Sequence, residues 1–218
     1  MTPKLPCPRP ARVVLEGRYA RLEPLAPAHA EGLMAASADA SSFDYLFDVP
    51  LKDRADLSVW IESRMKSEDP LFHAVVDKVT GLAGGRQTFM RITPEHGVIE
   101  IGNILWGPAI ARTRVATEAL YLAAKYVFED LGYRRFEWKC NDLNDPSKRA
   151  ARRFGFAFEG VFRQHMWVKG ANRDTAWFAM IDKDWPRLRA AYKRWLEPQN
   201  FDAAGRQRSR LEVPTSAA

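Results

Sequence analysis

Residues 99–140 limit the fold more than any other stretch, because they read in succession as a strand, a short basic loop, a long helix and a second strand. The run from Ile99 to Leu105 is β-rich and stops at Trp106-Gly107-Pro108. A helix then begins near Thr113 and continues to about Leu131. Tyr133 to Cys140 alternates, with Phe136, Trp138 and Cys140 on one face and Arg135, Glu137 and Lys139 on the other. Strand, helix and strand in that order make a βαβ unit, so the two strands are expected to be parallel with a right-handed crossover. The helix start between them is suited to an anion. Its first turn leaves about four N–H groups unpaired, and its dipole places roughly half a positive charge there. Arg112 and Arg114 add full charges, so the loop reads as a diphosphate cradle.

With 218 residues, 46% of them hydrophobic, the chain can build one domain with a real core, and wholesale disorder is excluded. A net charge of +6 suits an anionic partner: a phosphorylated cofactor, RNA, an acidic peptide or a membrane surface. Charge does not choose among them. Cys7 and Cys140 are the only cysteines and have no metal-like spacing, so neither a disulfide frame nor a metal site is expected, and a reducing cytoplasm fits. The start MTPKLPCPRPAR has prolines where a signal core would be apolar, and no run of about twenty apolar residues occurs. A cytoplasmic protein without a membrane anchor is expected.

The remaining segments divide into an extended proline-bearing arm over 1–10, a domain over 11–197, and a polar, basic tail over 198–218 that is either mobile or folded over the surface. Val13 to Leu25 reads as two short strands, and Pro27 to Ala36 as a short helix. The loop SSFDYLFDVP places Phe43, Tyr45 and Phe47 in alternation, either plugging the core or lining a pocket. Lys52 to Lys66 is amphipathic, with Leu57, Trp60, Ile61 and Met65 on one face. Leu71 to Val76 and Leu82 to Ile92 read as an antiparallel hairpin, weakened by Gly84 and Gly85. After the βαβ unit come a helix over Ser147 to Phe154, strands over Val161 to Val168 and Thr175 to Ile181 around a turn from Lys169 to Asp174, and a helix over Asp184 to Leu196. The order gives an α+β fold with a mixed sheet, not a doubly wound dinucleotide fold.

Four pieces in consistent order, IEIGNILWGP, RTRVATEALYLAAKYVFEDLGYRRFEWKC, NDLNDPSKRAARRFGFAFEG and FRQHMWVKGANRDTAWFAMID, resemble the GNAT N-acetyltransferases, and within them the RimJ/RimL-like branch that acetylates ribosomal-protein N-termini. The resemblance implies a GNAT-like, mostly antiparallel sheet with a central parallel pair that splays apart, flanked by helices. It also implies acetyl-CoA as cofactor, CoA as product, and no metal. The family's pyrophosphate loop reads Gln or Arg, two residues, Gly, one residue, then Gly or Ala. Here that frame falls on Ala111, Arg112, Thr113, Arg114, Val115 and Ala116, so Ala111 stands for the polar residue and Arg114 for the glycine. Leu105 and Trp106 end the first splayed strand beside the cofactor, and the end of that strand would offer an N–H to the acetyl oxygen.

The resemblance places a strand glutamate at Glu100 as general base through water; read from the residues alone, it is an exposed strand residue or an ion pair with a nearby arginine. In Asn144-Asp145-Pro146-Ser147 the resemblance makes Ser147 the general acid near the CoA sulfur and Asn144 a cofactor contact, while helix capping explains the same residues without chemistry. Among Lys148, Arg149, Arg152 and Arg153, Arg153 is taken as the cofactor contact, against a merely solvated basic face. Tyr45, Trp138 and Asn141 are taken toward the acceptor amine, the last two alternatively toward the pantetheine arm, while core packing is the commoner use of a residue such as Trp138. Cys140 reads as a small buried hydrophobe and His165 as structural. The expected activity is direct acetyl transfer to a primary amine, of a protein N-terminus or a small molecule. The expected partners are therefore an acyl-CoA and an amine, with nucleic acid met only through a ribosomal substrate and a homodimer left open. The alternative is a catalytically silent acyl-CoA sensor or RNA-associated module on the same fold.

Overall fold

The computed structural model describes residues 4–213. Eight strands form one sheet in the order β1-β2-β3-β4-β5-β6-β8-β7. They are β1 (Leu15–Glu16), β2 (Ala20–Pro24), β3 (Leu71–Asp77), β4 (Ala83–Thr93), β5 (Val98–Trp106), β6 (Arg135–Asn141), β7 (Ala157–Val168) and β8 (Ala171–Ile181). Every pairing is antiparallel except β5 with β6, the parallel pair expected from the βαβ reading. The helices are α1 (Ala30–Ala36), α2 (Arg54–Arg64), α3 (Arg114–Lys125, extended by one wider turn over Tyr126–Asp130), α4 (Asp145–Arg153) and α5 (Trp185–Trp195). None is long and apolar enough to cross a membrane.

Both faces of the sheet are covered, and β3 shows why its sequence is apolar without alternation. Leu71 and Val75 enter the core shared with α3 and α5, while Phe72, Ala74 and Val76 pack with Leu33, Leu57 and Ile61 of α1 and α2. Helix α3 is held between the sheet and α5, and ten of its twelve residues are buried. Alanines at 116, 119, 123 and 124 let it approach closely, and burying a side chain such as Leu120 stabilises by about 1.5–3 kcal/mol. The two glycines that looked like weaknesses in β4 are packing requirements. A Cβ on Gly84 would meet the Ile110 side chain, and one on Gly85 the carbonyl of Leu105.

Two boundaries move. Strand β7 ends at Val168 as expected, but β8 starts at Ala171 instead of Thr175, leaving a two-residue turn at Lys169 and Gly170, both with positive φ (51° and 75°). That is the geometry a tight hairpin favours, and it puts Arg173 and Asp174 in the strand. After α5 the chain folds over the surface: Phe201 and Leu211 are buried, and the Asn200 side chain donates to the Trp195 carbonyl (2.9 Å) and accepts from the Ser209 N–H (2.9 Å). At the other end, Cys7 is buried, its N–H donating to the Pro94 carbonyl (3.0 Å).

Candidate active site

Strands β5 and β6 pair only from Val98↔Arg135 to Ile101↔Trp138. Beyond that β5 stays with β4 and β6 with β8, so the sheet opens between them. A bulge in β5 shapes the opening. Thr88 faces Gly102 while Arg86 faces Leu105, so β5 carries one residue too many there, and Asn103 sits at φ 51°. Buried Arg86 pins the bulge, donating to Asn103 Oδ1 (2.5 Å) and to Asp48 of the aromatic loop (2.8 Å). The shift turns Ile104 and Trp106 toward α3 and α4 and sends Leu105 against Ala36 and Phe43. Leu105, expected at the cofactor, therefore keeps its side chain away from the cleft; strand alternation cannot show a bulge.

On the α3 face the opening is a chamber of about 550 Å³, walled by Ile104, Trp106, Ala116 and Phe154 and lined by Ala111, Arg112, Arg149 and Arg153. Thr113 caps α3, accepting from the Val115 N–H (3.1 Å), so that donor is used and the Val115 side chain is core. The N–H groups of Arg112, Arg114 and Ala116 have no partner among the described residues. Arg112 takes φ 63° at the turn into the helix. The Arg153 guanidinium donates to Thr117 Oγ1 (3.2 Å), lies over the Phe154 and Trp195 rings, and meets no carboxylate among the described residues. Burial lowers its pKa, with Tyr192 opposing. The Arg114 side chain leaves the cradle, its guanidinium 4.4 Å from the Tyr19 ring centroid and 5.3 Å from that of Phe201. The charge expected from Arg114 is spent there, because the first residue of α3 points toward the folded C-terminal segment.

On the opposite face lies a second chamber, bounded by the aromatic loop, β4 to β8, and the start of α4. Phe43 is core, whereas Tyr45 and Phe47 line this chamber, so the aromatic loop serves both of its expected uses. Tyr45 donates to the Leu143 carbonyl (3.2 Å), and Asn141 Oδ1 accepts from the Leu143 N–H (2.9 Å). Glu100 is 2% exposed and accepts from Arg91 (2.8 Å to each oxygen) and from Lys139 (3.0 Å). Its geometry is the ion pair offered as the alternative to a base. Lys139 also meets Glu137 (2.7 Å), and Arg135 joins Glu137 to Glu159. His165 Nδ1 lies 3.0 Å from Thr175 Oγ1; burial, then Arg91, Lys139 and Arg173, lower its pKa, with Glu100 opposing.

Four residues border both chambers: Ile104, Trp138, Asn144 and Ser147. Asn144 caps α4 by accepting the Ser147 N–H (3.0 Å), which fixes the serine at the mouth of the opening. The Trp138 indole donates to Ser147 Oγ (2.9 Å). An indole N–H only donates, so the serine's own proton is left for an acceptor other than Trp138. Cys140 is buried beside it; burial raises its pKa, and a hydrogen bond from Ser147 opposes that shift.

The structure thus gathers Trp106, Ala111, Arg112, Ala116, Asn144, Ser147 and Arg153 at one chamber and Tyr45, Glu100, Trp138 and Asn141 at the other, while Thr113 and Val115 serve as cap and core. Sequence reasoning missed Arg91, Lys139 and Arg173 and took His165 as structural. The alternation Arg173, Thr175, Trp177 was a usable signal, hidden by assigning Arg173 to a turn. Among the described residues no group of three His, Cys, Asp or Glu side chains could hold a metal.

A sheet parted between two parallel strands, with the unpaired N–H groups of a helix start on one face and a polar chamber on the other, is an architecture found among α+β acetyltransferases. The chain belongs to the GNAT acetyltransferase domain family, whose model matches residues 20–157. A GCN5-related N-acetyltransferase from Brucella melitensis is 54% identical and superposes with a TM-score of 0.92, over 95% of this chain and 96% of that one. The uncharacterized N-acetyltransferase p20 of Bacillus licheniformis is 30% identical over 113 residues, which span 50% of this chain and 58% of that relative's length. RimL, a ribosomal L7/L12 alpha-N-protein acetyltransferase, shares the fold at 16% identity, with a TM-score of 0.67 over 78% of this chain and 94% of that one.

Proposed function

We propose that the protein moves an acetyl group from acetyl-CoA directly to a primary amine, of a protein N-terminus or a small molecule. The carrying observation is that the two chambers meet at Ser147, with an anion site on one side and room for an acceptor on the other. The donor set fits a diphosphate: half-buried Arg153, which meets no carboxylate among the described residues, Arg112, and unpaired N–H groups at the start of α3. Because the Arg114 side chain turns away, its replacement of the family's glycine leaves the cradle open. Bound acetyl-CoA supplies an activated thioester. Ile104 and Trp106 wall the arm that leads from the cradle to the opening, and the parted end of β5 presents backbone to the reacting carbonyl. Ser147, oriented by Trp138 and by the Asn144 cap, turns its proton from Cys140 to the departing sulfur.

An amine must be neutral to attack, and partial burial in the acceptor chamber, around which lie the cations Arg91, Lys139 and Arg173, favours its neutral form through desolvation. His165, kept neutral by burial and by those same cations, receives the amine's proton. Glu100, bound to Arg91 and Lys139, holds that wall in place. Two free, buried cysteines suit the cytoplasm as the place of reaction. The RNA-associated alternative loses support, since Arg114, Arg152 and Arg153 lie over aromatic rings. Mass spectrometry of peptides and metabolites after incubation with isotope-labelled acetyl-CoA tests the reading; label on an amine nitrogen is the expected result, and bound CoA with no transfer to any amine would count against it.

A further inference from the structure

Arg173 is the guanidinium of the acceptor chamber that the protein itself does not neutralise. It is 7% exposed, lines the chamber, and forms no ion pair among the described residues. Its contacts are a long hydrogen bond from Nη1 to the Tyr45 carbonyl (3.4 Å) and the Phe47 ring, whose centroid is 4.8 Å away, while its buried Nε has no partner. A buried cation with unused donors is costly to keep unless something supplies the acceptors. The nearby acid cannot: Glu100 is held by Arg91 and Lys139. Burial lowers the Arg173 pKa, with Arg91 adding to that and Cys140 and Glu100 opposing, which fits a group desolvated before its partner arrives. The fork geometry of arginine matches a planar carboxylate.

Resting on the acetyltransferase reading, we propose that the acceptor is an amine that also carries a carboxylate, and that Arg173 binds that carboxylate and so determines specificity. The amine then lies toward Ser147 and His165, and the Tyr45–Phe47 loop, through its carbonyl and ring, keeps the guanidinium aimed inward. The chemistry has two sources, a free amino acid or a peptide whose first residue is acidic.

Matched pairs separate them. L-Alanine against L-alaninamide probes a free α-carboxylate, and aspartyl-alanyl-alaninamide against asparaginyl-alanyl-alaninamide probes an acidic N-terminal side chain, with kcat/KM read from thiol release. One acidic member is expected to exceed its neutral partner by about 10–100-fold, chiefly through KM. Arg173→Gln should collapse that ratio and Arg173→Lys restore part of it, with CoA affinity and thermal melting as controls for folding. Equal rates within both pairs, or a ratio that survives Arg173→Gln, would overturn the proposal. If CoA binds and no amine is acetylated, the function reading fails by itself; titration of the N-acetylated form of each probe with CoA present then decides the carboxylate site, which requires preference for the acidic form and its loss in Arg173→Gln.

Discussion

The two faces of the opening handle charge by opposite means. Toward α3, positive charge has no ionic partner among the described residues: Arg112, Arg153 and the first N–H groups of the helix border a chamber lined by no acid. Toward the aromatic loop, charges are mostly matched within the protein, Glu100 to Arg91 and Lys139, Glu137 to Lys139 and Arg135, Glu159 to Arg135, with Arg173 the exception. A matched buried network contributes little net field and mainly holds its members in position. An unmatched, desolvated cation is costly to keep unless an anion joins it. Net charge alone, +6 over the whole chain, could not separate these two uses.

The contrast is broken most forcefully at the residue both faces share. Ser147→Ala is expected to lower kcat by about 100-fold while CoA affinity, measured by calorimetry, stays within about threefold, because only the proton to the departing sulfur is removed. A kcat near that of the parent protein would leave Ser147 as part of a cap and no more. Next in size is Arg153→Met, which keeps apolar volume over Phe154 and Trp195 but removes the unmatched charge. The Kd for CoA should rise by about 10–100-fold, with acceptor KM little changed. Unaltered CoA binding would show that Arg153 belongs to the packing of α4 and not to the anion site.

The smallest effect concerns the matched side and is read as pH dependence. The His165 pKa is lowered below its ordinary 6.5, and in the proposed reaction its neutral imidazole is the base. The sign follows: ionisation of the amine itself makes kcat/KM rise with pH in every variant, and protonation of His165 below pH 6.5 adds a further acid limb to that fall. Steady-state rates from pH 5 to 8 should show that limb in the parent protein, lose it in His165→Gln and keep it in Glu100→Gln. Loss of the limb in Glu100→Gln alone would return the base role to the glutamate.

Much of the helix-side chamber was readable from sequence because it is local. Asn144 through Ser147 and Thr113 through Ala116 are helix starts, and capping residues declare themselves within a turn. The parallel pair was readable too, since a strand, a helix and a strand permit few topologies. The acceptor chamber was not. It draws Tyr45, Arg91, Glu100, Lys139, His165 and Arg173 from six separate segments. No spacing rule joins Arg91 to Glu100 and Lys139, and no pattern shows that Arg173 lacks an acid. The misreading of Leu105 has the same root, since the bulge depends on Arg86 reaching Asn103 across β4 and β5.

Sequence alone determined the α+β class, the βαβ unit at its centre, the capped start of α3 at Thr113 and the placement of Ser147 behind a cap. These follow from hydrogen-bond periodicity and from groups only a few residues apart. Tertiary structure alone decided how far β5 and β6 part, that Arg114 turns away while Arg153 turns in, and that Glu100 is matched while Arg173 is not. Those outcomes depend on which distant side chains share a dry space, where each charge must find a partner or keep a place for one.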